Sequence, residues 1–122
     1  MSAALWRQVR ARAAGRCEYC HMPESLDPLP FEVDQIEARQ HGGRTVLTNL
    51  ALTCFACNHH KGPNLTGRDS VTRRITRLFH PRRDRWADHF TWNGPTLMGT
   101  TSIGRTTVRE LAINLPHRIA LP

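Results

Sequence analysis

Apolar residues recur at helical spacing over the first fourteen positions. Leu5, Val9 and Ala13 share one face with Trp6 beside them, while Arg7, Arg10 and Arg12 lie largely elsewhere. Ser2 can cap this stretch and Gly15 can stop it, so the spacing predicts a helix over 3–14. Pro23, Pro28 and Pro30 make the next segment a loop. The period then changes to two: Phe31, Val33 and Gln35 alternate with Glu32 and Asp34, which predicts a strand over 31–35. Gly42-Gly43 ends the next excursion, 45–48 reads as the returning strand, and a short helix over 55–61 is stopped by Gly62-Pro63.

Beyond that, residues 64–74 are polar and read as a loop, and burial resumes at Ile75, Leu78 and Phe79. A basic turn over 80–85 precedes the packing aromatics Trp86, Phe90 and Trp92. Short strands or a hairpin are expected over 97–103 around Gly99. Thr106 or Thr107 can cap a last helix carrying Val108, Leu111, Ala112 and Leu115. The fold class is therefore α+β, with the C-terminal third packed around the first part of one domain spanning 1–122.

Composition adds a need for a staple. The chain has 122 residues, of which 39% are apolar, a modest share for a small domain's core. It carries a formal charge of +7, which points to a polyanion, with nucleic acid first. Lys61 is the single lysine among 17 basic residues, and arginine suits bidentate phosphate contacts. An inert basic surface is the plainer alternative. No apolar stretch approaches the roughly 20 residues of a membrane span, and residues 1–8 lack the continuous apolar run of a secretory signal. A cytoplasmic protein with reduced thiols and no membrane partner is expected. Cys17-x2-Cys20 and Cys54-x2-Cys57 then form two knuckles whose four sulfurs can complete a closed, structural Zn2+ site.

These knuckles frame further residues: Val33-Asp34-Gln35-Ile36, Gly42-Gly43, Asn49-Leu50, and Asn58-x2-Lys61-Gly62 directly after Cys57. On this combination the chain resembles the HNH endonucleases, the ββα-metal nucleases, in their zinc-containing, McrA-like branch. The resemblance covers residues 6–64. It implies a core over 15–64, with an extension over 65–122, in which a two-stranded hairpin and a helix grip one divalent cation and hydrolyse phosphodiesters in DNA, leaving a 5′-phosphate. It further implies that Asp34 and Asn58 bind that cation and that Asn49 bridges the hairpin loop. The chemistry is reasonable on its own terms. One carboxylate and one amide oxygen leave positions open for water and phosphate, and hard oxygen donors suit Mg2+ or Mn2+. Lys61, Arg39, Arg44, Arg82 and Arg83 can hold flanking phosphates. Each residue has a plainer reading too: Asp34 as a strand-end carboxylate, Asn58 as a packing amide, Gly42-Gly43 as a turn needing positive φ.

At one position the chain departs from the family pattern. That pattern places a histidine, the general base, where this chain has Gln35. A carboxamide orients water but does not take its proton, and general-base catalysis contributes about 10² to 10⁴ in rate. His41, beside the glycine turn, is one substitute base; His59 or His60 on the helix is another, and Gln35 itself can be natural or engineered. The sequence thus leaves an attenuated endonuclease, an inactive zinc-stapled DNA-binding module and, less in keeping with the arginines, a protein-interaction zinc domain. The oligomeric state is open, a dimer included, because a double-strand cut from one site needs two visits or two chains.

Overall fold

The computed structural model describes residues 1–119. Helix α1 (Ala3–Ala13) begins where the Ser2 hydroxyl accepts the Leu5 N–H at 3.1 Å. It ends as Ala14 and then Gly15 take positive φ and turn the chain into the first knuckle. Val9 is fully buried, with Leu5 and Ala13 partly so, as the spacing predicts. Trp6 stays on the surface with the Arg10 guanidinium 4.7 Å above its ring.

Strand β1 (Glu32–Gln35) pairs antiparallel with β2 (Leu50–Thr53), Val33 opposite Leu52 and Asp34 opposite Ala51. The returning strand is therefore 50–53 and not 45–48. Every residue of β2 is buried, so its apolar run shows no alternation, whereas Thr45, Leu47 and Thr48 are exposed in the loop leading to it. Arg12 ties that loop to α1, donating to the carbonyls of Leu47 at 2.9 Å and Leu50 at 2.7 Å. Helix α2 (Phe55–Lys61) follows at once and stops at Gly62, as expected.

The remainder departs further from the sequence pattern. Strand β3 (Thr66–Arg68), within the expected loop, pairs with β4 (Ile75–Arg77) just beyond it, and Ile75 faces solvent instead of the core. After the one-turn helix α3 (Trp86–His89), β5 (Phe90–Asn93) and β6 (Thr96–Gly99) form a hairpin turning at Gly94-Pro95, so Gly99 ends a strand and does not centre a turn. Helix α4 (Ser102–Glu110) is capped by Thr101, whose hydroxyl accepts the Gly104 N–H at 3.0 Å; Thr106 and Thr107 lie buried inside it and cap nothing. The short α5 (Pro116–Ile119) closes the described chain. Leu78, Phe79, Phe90, Leu97 and Leu111 join Val9, Tyr19, Leu50 and Leu52 in the core, Trp86 is partly buried against Phe90, and Trp92 is half exposed. The architecture is a small α+β core around a four-cysteine cluster. Among the described residues no helix is long and apolar enough to cross a membrane.

Candidate functional site

The four cysteines converge. Their Sγ atoms all lie within 4.8 Å of one another, and all four residues are buried. Cys20 and Cys54 sulfurs are 3.9 Å apart. Four sulfurs about 2.3 Å from a tetrahedral zinc would stand about 3.8 Å from each other, whereas a disulfide needs about 2.05 Å. The quartet thus has the size of a zinc cage. Its hydrogen bonds fit thiolates as well: Cys54 Sγ accepts the Cys57 N–H at 3.3 Å, and Arg118 Nη2 lies 3.1 Å from Cys57 Sγ and 3.6 Å from Cys54 Sγ. Hydrogen bonds from Cys17, Cys20 and Cys57 hold the Cys54 thiol far below its ordinary pKa, while contacts within the same quartet push Cys20 and Cys57 up. Sulfurs packed this closely ionise together only around a cation.

The second constellation lies on the hairpin and α2. Glu32 and Asp34 are alternate residues of β1, so they share one face, and both are exposed. Asn58 meets that face from α2, its Nδ2 donating to Glu32 Oε2 at 2.6 Å. Asp34 Oδ1 accepts the Gln35 N–H at 2.8 Å, which seals the strand end. The helix amide and the two strand carboxylates therefore stand on one side of the hairpin. Glu32 is absent from the set expected from sequence, although its two-residue offset from Asp34 is a usable signal.

The loop between β1 and β2 is clamped by Asn49. Its Oδ1 accepts the Glu37 N–H at 2.9 Å, and its Nδ2 donates to the carbonyls of Glu37 at 3.0 Å and Arg44 at 2.8 Å. Asn49 is thus a positioning residue. Gly43 lies beneath this clamp, where a Cβ would stand 1.7 Å from the Glu37 carbonyl oxygen; Gly42 takes φ +89°. Gln35 turns towards the same loop and donates from Nε2 to Thr45 Oγ1 at 2.9 Å. His41 is exposed in the 3-10 turn before Gly42. His59 is exposed with its ring stacked on Phe55 at 5.8 Å, and His60 lies next to it on α2. Among the described residues, no hydrogen bond or ring contact joins any of these histidines to Asp34 or Gln35.

Two of the expected phosphate contacts are corrected. Lys61 is only 5% exposed, and its Nζ donates to the Ile36 carbonyl at 2.8 Å, so it braces the exit of β1 from inside. Burial lowers its pKa, against the opposing pull of Asp34 and Glu37. Arg82 pairs with Glu18 of the first knuckle, and burial followed by the charge of Arg12 brings its pKa down to about 10. Arg39, Arg44 and Arg83 do stand on the surface. Arg44 and Arg83 both line a groove of about 360 Å³, together with Gly43, Asn49, His80 and Arg82. His80 Nδ1 accepts the Arg82 N–H at 3.2 Å, and burial lowers the pKa of its ring.

Residues 17–64, which hold both knuckles, the hairpin and α2, match the family model described as HNH endonuclease. This segment is therefore similar to an HNH endonuclease domain, and its four clustered cysteines fit a zinc-binding variant of that family. No curated protein and no solved structure matches the chain.

Proposed function

We propose that this protein is a DNA endonuclease dependent on Mg2+ or Mn2+, slowed at its proton-transfer step. One observation carries the reading: the Asn58–Glu32 hydrogen bond brings the α2 amide onto the face of β1 that also bears Asp34. Asp34 and the Asn58 amide oxygen are hard donors, suited to such an ion. When bound, the ion would supply positive charge against the phosphate and its leaving 3′ oxygen. Arg44 and Arg83 would hold neighbouring phosphates, with Arg39 as a further surface cation. Gln35, anchored through Thr45, keeps its Oε1 free to orient the attacking water. As the water oxygen bonds to phosphorus and the bond to the 3′ oxygen breaks, the water's proton passes to solvent, because Gln35 does not accept it. The zinc cage would be structural, holding hairpin and helix in register. We place this action in the cytoplasm, where the thiols stay reduced, by a single unit spanning 1–122, with a double-strand cut requiring two chains or two visits.

Nicking of supercoiled plasmid tests the proposal. Cutting is expected with Mg2+ or Mn2+, is expected to vanish in Asp34→Ala and Asn58→Ala, and is expected to rise by about 10² to 10⁴ in Gln35→His. Cutting that survives both alanine substitutions would remove the proposal. A second reading, a zinc-stapled module that binds DNA without cutting it, draws support from Gln35 itself. On that reading Gln35→His stays silent while salt-sensitive binding persists.

A further inference from the structure

The β3–β4 ribbon lies outside the matched segment and has no part in the site above. Its inner face is Gly67 and Thr76; Gly67 packs so closely on α4 that a Cβ there would come 2.2 Å from Glu110 Cγ. Its outer face sets Arg68 opposite Ile75 and Thr66 opposite Arg77. The tip is held by Asp69, which is wholly buried and receives two hydrogen bonds of 2.9 Å from Arg105. Asp69 also accepts the N–H groups of Val71 at 3.3 Å and Thr72 at 3.2 Å, and Arg68 Nη1 donates to the Arg73 carbonyl at 2.8 Å. These bonds fix a tip that projects Val71, Arg73 and Arg74 outward.

The surface so formed is basic and partly apolar. Asp69 is the only acid between Thr66 and Arg77, and Arg105 already answers its charge. Arg77 is engaged by Asp84 at 2.7 and 2.9 Å, so Arg68, Arg73 and Arg74 carry the free positive charge. Among them stand Val71 and Ile75, 68% and 65% exposed, the most exposed of the large apolar side chains in the described chain. From this juxtaposition we infer that the β3–β4 ribbon is a second DNA-contacting element, entering the major groove of duplex DNA. Its arginines meet phosphates, and its apolar side chains meet the base edges, where thymine offers a methyl group. A two-stranded ribbon fits the B-form major groove, whereas the A-form groove of duplex RNA is too deep and narrow to admit it. A tip ordered in advance loses little freedom on binding.

Ribbon docking shares only its nucleic-acid partner with the proposed hydrolysis, and the two fail separately. The zinc-loaded 122-residue chain is titrated with a labelled duplex of about 20 base pairs at several salt concentrations, each phosphate contact contributing about 0.9 to the slope of log affinity against log salt. Arg73→Ala/Arg74→Ala is expected to lower that slope by nearly 2 at unchanged zinc content and circular dichroism. Val71→Ser is expected to weaken duplex binding with the slope intact. An unchanged slope in the folded double variant, or an equal loss of affinity for duplex RNA, overturns the inference even if the protein cuts DNA. Tight duplex binding with the expected slope change but no nicking leaves the ribbon standing and removes the hydrolysis.

Discussion

Gly43 and Asn49 show how single residues set the geometry of the hairpin loop. A methyl group on Gly43 would occupy the place of the Glu37 carbonyl oxygen, so Gly43→Ala must push the loop off its clamp. We expect a loss of about 2 kcal/mol or more, read as a fall in the urea midpoint. Asn49→Ala leaves the Glu37 N–H and two carbonyls without their partner, which costs about 1–3 kcal/mol. Asn49→Asp separates this account from simple loss of bulk. It keeps an acceptor for the Glu37 N–H but sets a carboxylate against two carbonyl oxygens, so it should be no more stable than the alanine variant. Lys61→Met tests the inward role of Lys61. If its ammonium serves the Ile36 carbonyl, the variant unfolds at lower urea while the salt slope of DNA binding stays the same. A reduced slope would restore Lys61 as a phosphate contact.

Among the elements, those whose periodicity is complete in the sequence are where the sequence places them. Helix α1 carries its own cap, face and stop, β1 alternates, and α2 is bounded by Cys54 and Gly62. The knuckles and the residues between them are readable because their spacing is itself the signal. β2 escapes such a reading because β-branched residues at Thr45, Val46 and Thr48 mimic a strand, while the true strand is a uniformly buried run with no alternation. α4 starts earlier than expected because Thr106 and Thr107 resemble caps, and only tertiary packing explains two threonines buried within a helix. Phe79 N–H donates to Thr107 Oγ1 at 2.8 Å, and Thr107 Oγ1 donates to the Ile103 carbonyl at 2.8 Å. The inward turn of Lys61 and Arg82 is likewise invisible in the sequence, since it depends on Ile36 and Glu18, distant along the chain. The real cap of α4 also holds α3: Thr101 Oγ1 contacts His89 Nδ1 at 2.7 Å. Thr101→Ala should therefore lower stability by about 1–2 kcal/mol, measurable by thermal or urea unfolding, whereas Thr101→Ser should recover most of it. Equal losses in both variants would show that the hydroxyl is not what matters.

Across the whole molecule, the cysteine cluster lies where the matched segment and the C-terminal extension are sewn together. Glu18, inside the first knuckle, accepts the Leu52 N–H of β2 at 2.8 Å and pairs with Arg82 of the extension. Trp86 donates from Nε1 to the Tyr19 carbonyl at 2.9 Å and stacks on His21, 3.8 Å between centroids and nearly parallel. Arg118 reaches back from α5 to Cys54 and Cys57 while its other nitrogen donates to the Leu111 and Ala112 carbonyls. Four thiolates around one zinc would carry net negative charge, which this guanidinium would partly offset while holding two of the sulfurs in orientation. Purified protein should hold about one zinc per chain, and chelation should unfold both parts together, with Trp86 emission and helical circular dichroism lost in one transition. Arg118→Ala should leave the fold intact at saturating zinc and weaken zinc affinity by about 10- to 100-fold, read by competition with a chromogenic chelator. Arg118→Lys keeps the charge without the planar fork that spans two sulfurs and two carbonyls, so it should recover only part of the loss. A metal-free protein that keeps its circular dichroism, or an Arg118→Ala variant with unaltered zinc affinity, would show that the extension stands without the cluster.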